Sequence, residues 1–423
     1  MCGTSWGPPP PKVASRRSLR PVTTPCRRHR CASPRCSMNS YPDPFGRGPS
    51  GRSGGPATLG ASSLMFTKPS LSSDIGSAAA ESAEPELIEI ARSPDFLWNG
   101  AVATGGRLFA SMPGWLGPTP GVVEVFADGS FKPFPGDHWN DWAEGKDPTQ
   151  HFVDVNSIIP DGKGNLWVLD AAAPYFATAI EGAVKVVQIC IETGETKRVI
   201  IFDPKTAHSG TRLAHMRFHG DHAFMAESKE GSFYVIDLRD NSYRRILVGH
   251  PLMRCEPEDV PTMEGRRITL LNGKPMYIHN DLLEFGSDPD TLYFMCLFGR
   301  KIFKTHVDTF KDPSLTDSEI ASRVSVAFDV GGPWVAGICR DRDGTWYLTD
   351  AENNGIRRIR PDSNGESEMV VSRPELVWPI TPSISADGWV HFTASQLNRV
   401  PMFSGGENLV ERPWHMFKIK VRD

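Results

Sequence analysis

The residues best able to move a proton sit in two short stretches. His215 stands in "RLAHM" and Glu227 follows twelve residues later in "FMAES"; His279, Asn280 and Asp281 run together in "IHNDLL". An imidazole has an ordinary pKa near ~6.5 and gives or takes a proton near neutrality. A neighbouring carboxylate or second imidazole orients it or completes a relay. We therefore expect His215 to be a general base, with Asp281, His279 and Glu227 as its partners. Amide side chains at Asn99, Asn156 and Asn280 supply hydrogen bonds to a ligand, and Trp98, Trp115, Tyr175, Trp334 and Trp378 supply apolar walls, the combination that binds small molecules. The competing reading of each is structural: a channel His held by hydrogen bonds, and Asn residues that tie neighbouring strands together.

Other chemistries find less support. Ser157 and Ser395 have no evident base partner and there is no G-x-S-x-G elbow, so nucleophilic hydrolysis is disfavoured. No phosphate loop, dinucleotide fingerprint or haem motif occurs, and no cofactor is expected. Nor is a metal site: the "CRRHRCASPRC" cluster lacks zinc-finger spacing.

A repeated unit positions these residues. "ATGGRLFASM" at 103, "DGKGNLWVLD" at 161, "RFHGDHAFMAES" at 217, "SDPDTLYFMCLF" at 287, "RDRDGTWYLTD" at 340 and "SADGWVHFTAS" at 385 are each an Asp/Gly turn followed by aromatic and branched residues. Intervals of about 57, 58, 68, 55 and 44 residues suit four short strands per unit. Six units predict an all-β, six-bladed β-propeller over residues 85–423, with "ELIEIARS" at 86 and "HMFKIKV" at 415 closing the ring in one blade. The candidate residues then fall before or after the turns, where the loops converge on one mouth of the channel.

Residues 1–84 are rich in Pro, Gly, Ser and Arg and predict a disordered leader. Of 46 Lys and Arg against 50 Asp and Glu, ten bases and one acid lie in the first 60 residues, leaving 36 bases against 49 acids. A nucleic-acid role for the folded part is thereby disfavoured. With no secretory h-region and no apolar run long enough to span a membrane, we expect a cytoplasmic protein, with organelle targeting by the Arg-rich leader or a start at Met38 as alternatives. A propeller buries its own edges, so a monomer with a small-molecule partner is expected.

"HFVDVNSIIPDGKGNLWVLDAAAP" at 151, "HWNDW" at 138, "DTLYFMCLFGRKIFKTHVDTF" at 290, "GTWYLTDAENNGIRRI" at 344 and "VWPITPSISADGWVHFTASQLNRVPMF" at 377 resemble the major royal jelly protein and insect yellow family, in order over residues 86–421. The resemblance implies a six-bladed propeller. It implies less about chemistry, since members resemble dopachrome-converting isomerases, amine binders or nutritive proteins. Leu213-Ala214-His215 and Ala226-Glu227-Ser228 depart from the family's usual Leu-Asn-Asp and Thr-Asp-Ser.

The expectation is a cofactor-free isomerase or cyclase acting on an aromatic or terpenoid-like metabolite. The alternatives are a non-catalytic binder of aromatic or amine ligands and a calcium-dependent lactonase-type hydrolase, the last weakened because the axis offers Asn99 and Ala336 where carboxylates would be needed. "GDHWNDWAEGKDPTQHF" at 136 reads as a lid or as a loop stapled to the rim, and "RCEPEDVPTMEGRRITLLNGKPM" at 254 as a solvated excursion.

Overall fold

The computed structural model describes residues 85–136, 138–332 and 334–421; the expected leader lies outside the described residues. Six four-stranded antiparallel sheets form six blades of a propeller. Each expected Asp/Gly turn joins the two inner strands of one blade: Gly100–Thr104 to Arg107–Met112, Val155–Pro160 to Asn165–Asp170, Leu213–His219 to His222–Glu227, Asn280–Phe285 to Thr291–Cys296, Val335–Arg340 to Trp346–Asp350, and Pro379–Ile384 to Trp389–Ala394.

The second strands, such as Asn165–Asp170, are almost wholly buried because neighbouring blades cover both faces. Outer strands, such as Thr196–Ile201, alternate between partly buried and exposed positions, as a half-solvated edge requires. The last blade is closed by Leu87–Ser93 pairing antiparallel with Trp414–Lys420, so the first strand among the described residues completes the sheet formed by the last three. Two short helices, Val307–Lys311 and Asp317–Ser322, interrupt the fourth blade before its outer strand. At Gly337 any Cβ would lie 2.3 Å from Pro382, so glycine there lets the fifth and sixth blades meet.

One irregularity recurs at the channel. In blades two to five the register between the first and second strands slips where the chain enters the blade, leaving one extra inner-strand residue: Asn156, a residue of the Ala214–His215 pair, Asp281 and Ala336. In blade six the slip falls at Thr381 and Pro382. Blade one pairs regularly from Gly100, with Asn99 just ahead of the ladder. A bulge re-aims the residue it carries.

Candidate functional site

A cavity of about 210 Å³ opens where these irregular positions meet. Asn99, Asn156, His215, Asp281 and Thr381 line it from five blades. Trp115, Phe176, Leu397 and Phe403 form apolar walls from the loops after the second strands, and Arg212 and Lys229 add two cations. Trp115 meets Phe176 edge to face at 5.3 Å, and Phe176 meets Phe403 in the same way at 5.1 Å. Such aromatic packing holds the wall in one shape.

His215 is buried beside Asp281. Its Nδ1 lies 3.1 Å from the Asp281 main-chain carbonyl and 3.2 Å from Asp281 Oδ1. Both neighbours are acceptors, so Nδ1 carries the proton, and Nε2, buried without a hydrogen-bond partner, is left as the basic atom. His279 is the opposite case. Its Nδ1 accepts the main-chain N–H of Cys255 at 3.1 Å, which places the proton on Nε2. Burial, reinforced by the charges of Arg254 and Lys229, pushes its pKa down to about 4, so the ring is neutral near pH 7. Tyr277 stacks on it with an interplanar angle of 11°. The cavity is therefore lined by two imidazoles, one whose Nε2 has no hydrogen-bond partner and another whose Nε2 carries the hydrogen.

The asparagines do double duty. Asn99 Nδ2 donates to the main-chain oxygen of Asn156 at 2.6 Å, Asn156 Nδ2 to that of Leu213 at 2.8 Å, and Asn280 Nδ2 to that of Ser232 at 2.8 Å. Each bond ties one blade to the next. Asn99 Oδ1 remains buried without a partner and lines the cavity as a free acceptor. Asn280 does not line it.

Several candidates are placed elsewhere. Glu227 is fully buried and turned into its own blade: its carboxylate accepts the N–H groups of Arg212, Lys229 and Glu230 and the hydroxyl of Ser232, and pairs with Arg245 at 2.6 Å. With its lone pairs so occupied it cannot relay a proton from His215. Asp170 and Asp350 end the second strands of two other blades in the same way. Asp170 accepts three loop N–H groups and pairs with Lys185 at 2.6 Å; Asp350 binds Asn353 and Arg357. These carboxylates hold the rim loops.

Trp98 is buried against Phe131 and donates its indole N–H to Trp414. Trp334 and Trp378 pack on Phe298 behind the cavity rather than in it. Tyr175 is 60% exposed, because it and Phe176 both adopt left-handed backbone conformations and the reversal sends Phe176 inward instead. Trp139 of the 136–152 insertion stacks on Phe152 and its indole N–H reaches Thr196, so this loop is stapled to the first two blades. The segment after residue 254 behaves differently from its expected solvated excursion: Leu270, Pro275, Met276, Tyr277 and Ile278 form one wall of the cavity. Its alternating charges hid this, although the apolar run from Met276 to Ile278 was a signal. Arg212, just ahead of an inner strand, was also missed, since nothing in "GTRLAH" shows that a loop rather than solvent surrounds it.

A hard cation on the axis would meet one carboxylate, Asp281, already engaged by His215, together with amides from Asn99 and Asn156. That donor set does not resemble a calcium site, which collects several charged oxygens. Among the described residues no group of three or more His, Cys, Asp or Glu side chains could hold a metal ion, and no helix is long and apolar enough to cross a membrane.

Comparison with solved structures finds the same architecture at low identity. A luciferin-regenerating enzyme is 11% identical, covering 80% of this chain and 95% of its own, with a TM-score of 0.51. A gluconolactonase from Xanthomonas campestris is 11% identical over 80% of this chain and 90% of its own, TM-score 0.47, and virginiamycin B lyase from Staphylococcus aureus 13% over 80% and 99%, TM-score 0.44. At 11% identity the likeness to the luciferin-regenerating enzyme is one of fold alone. No curated protein matches the chain. The sequence signatures between residues 154 and 391 find their counterpart in a family model described as Major royal jelly protein, which matches those residues, more than half of the chain, spanning four whole blades and the start of the sixth. The chain belongs to the major royal jelly protein family.

Proposed function

We propose that the cavity is the active centre of a cofactor-free isomerase or cyclase that moves a proton on a small aromatic or terpenoid-like molecule. The observation that carries this reading is the opposite protonation of His215 and His279 in one cavity. His215 Nε2 takes a proton from a carbon or hydroxyl of the ligand. Asp281 steadies the imidazolium that results, and His279 Nε2–H donates to the oxygen where negative charge develops. Asn99 Oδ1 offers an acceptor for a ligand hydroxyl. The aromatic wall holds the molecule in one folded shape, which favours rearrangement through orientation.

A second reading, binding without turnover, is favoured by the blade ties at Asn99 and Asn156, which give those residues a structural purpose. Exchange of the benzylic protons of phenylpyruvate with D₂O, followed by NMR, separates the two. A base at His215 predicts catalysed exchange that His215→Asn lowers by about 10²–10⁴-fold with little change in affinity. Binding of phenylpyruvate with no exchange above the uncatalysed rate leaves the binding reading.

A further inference from the structure

Proton transfer leaves the cations of the cavity without a task. Arg212 is buried, and its guanidinium carbon lies 3.8 Å over the ring of Phe176. Its main-chain N–H is pinned by Glu227 Oε1 at 3.1 Å, so the residue cannot swing away without loosening that clamp. Of its side-chain donors, Nη1 alone meets a protein acceptor among the described residues, Asp154 Oδ2 at 3.5 Å, a distance at the limit of a hydrogen bond. Nε and Nη2 have no hydrogen-bond or ion-pair partner among the described residues. A desolvated guanidinium with unused donors is costly unless something else satisfies it.

Lys229 stands at the mouth of the same cavity. Its ammonium has no hydrogen-bond or ion-pair partner among the described residues. Partial desolvation of that end of the side chain, with the neighbouring Arg212 charge, holds its pKa below the usual lysine value. Of the three acids nearby, Asp281 is engaged by His215, Glu227 by Arg245, and Asp154 is fully buried, with one oxygen accepting the Gly114 N–H.

We propose that the ligand is an organic carboxylate, whose two oxygens take the free Nε and Nη2 edge of Arg212 under the Lys229 ammonium while its unsaturated body lies against Trp115 and Phe403. The planar fork of a guanidinium matches a carboxylate with two parallel hydrogen bonds, and neither an amine nor a neutral terpene would satisfy it. This rests on the reading of the cavity as the small-molecule site and narrows it to anionic substrates. Asp154 supports it: burial pushes its carboxyl up to about 7, so below that pH the one carboxyl that meets the Arg212 guanidinium carries no full charge.

The test is equilibrium binding of trans-cinnamate, trans-cinnamamide and phenethylamine to the full-length protein by calorimetry. Cinnamate should bind about ten-fold or more tightly than cinnamamide, the worth of charge-assisted hydrogen bonds, with phenethylamine weakest. Arg212→Gln should erase the advantage of the carboxylate while amide affinity stays within about two-fold, and Arg212→Lys should keep part of it. Equal affinities, a preference for the amine, no binding of cinnamate, or a carboxylate preference that survives Arg212→Gln would each overturn the inference. Should Arg212→Gln not fold, the three-ligand comparison on the unaltered protein decides alone. Carboxylate preference without phenylpyruvate exchange removes the proposed reaction and leaves this inference standing; exchange without the preference does the reverse.

Discussion

Asp281 presents two acceptors to one atom of His215, its main-chain carbonyl at 3.1 Å and Oδ1 at 3.2 Å from Nδ1. The tautomer is therefore fixed even without the carboxylate. Asp281→Asn should keep Nε2 as the basic atom and lose only the charge that steadies the imidazolium. We expect turnover to fall by about 10–10²-fold, less than in His215→Asn; steady-state kinetics on the two variants checks the order.

Asp154 makes anion binding pH-dependent. Burial raises its carboxyl to about 7, the nearby Asp170 adds to this, and the Arg212 charge opposes it. Asp170 is itself neutralised by Lys185 at 2.6 Å. As pH rises from 6 to 8, Asp154 ionises and offsets Arg212, so carboxylate affinity should drop by roughly ten-fold, and Asp154→Asn should flatten the profile. The same raised pKa means that its contribution to stability, full below the ordinary value near 3.8, is lost as pH rises through about 7. Calorimetric titrations and urea melts of both proteins at pH 6 and pH 8 read the two effects separately.

Glu227 should matter to folding rather than to chemistry. Glu227→Ala removes the buried 2.6 Å partner of Arg245, which keeps only Glu230 at 2.9 Å as a counter-charge, and leaves three loop N–H groups without their carboxylate acceptor. A loss of about 2–4 kcal/mol in urea unfolding is expected, from the unpaired loop N–H groups and the weakened ion pair. A variant that melts like the unaltered protein but no longer turns over would restore Glu227 to the proton path.

Tyr175 and Phe176 are neighbours with opposite fates. Tyr175→Ser should change stability by no more than about 0.5 kcal/mol and leave affinity untouched. Phe176→Leu removes the ring beneath Arg212 and should weaken cinnamate by about 0.5–2 kcal/mol. Calorimetry on both variants tests which side of the reversal faces the ligand.

The propeller was legible because its signal is periodic. Six Asp/Gly turns followed by branched and aromatic residues recur, and each proved to be the hairpin between two inner strands. His215, His279, Asp281, Asn99, Asn156 and Trp115 could be gathered at one mouth by counting from those turns. Side-chain direction could not. Glu227 sits at a strand end that counting brings to the same mouth, yet its lone pairs are spent on its own loop. Tyr175 and Phe176 are exchanged by a left-handed backbone turn that propensity does not foresee. Arg212 and the wall at Met276–Ile278 lie in loops whose path depends on contacts remote in sequence.

The register slips at the channel mouth separate what the protein is from what it does. A residue at a register slip contributes little to the ladder that pairs its two strands, so exchanging Asn156, Asp281, Ala336 or a residue of the Ala214–His215 pair leaves the blade's main-chain bonds largely in place. The slip positions around one axis can then change one at a time, each substitution sampling a new chemistry on strands paired elsewhere. Divergence within such a ring requires no insertion, no rearranged strand and no loss of the hairpin turns by which its members are recognised.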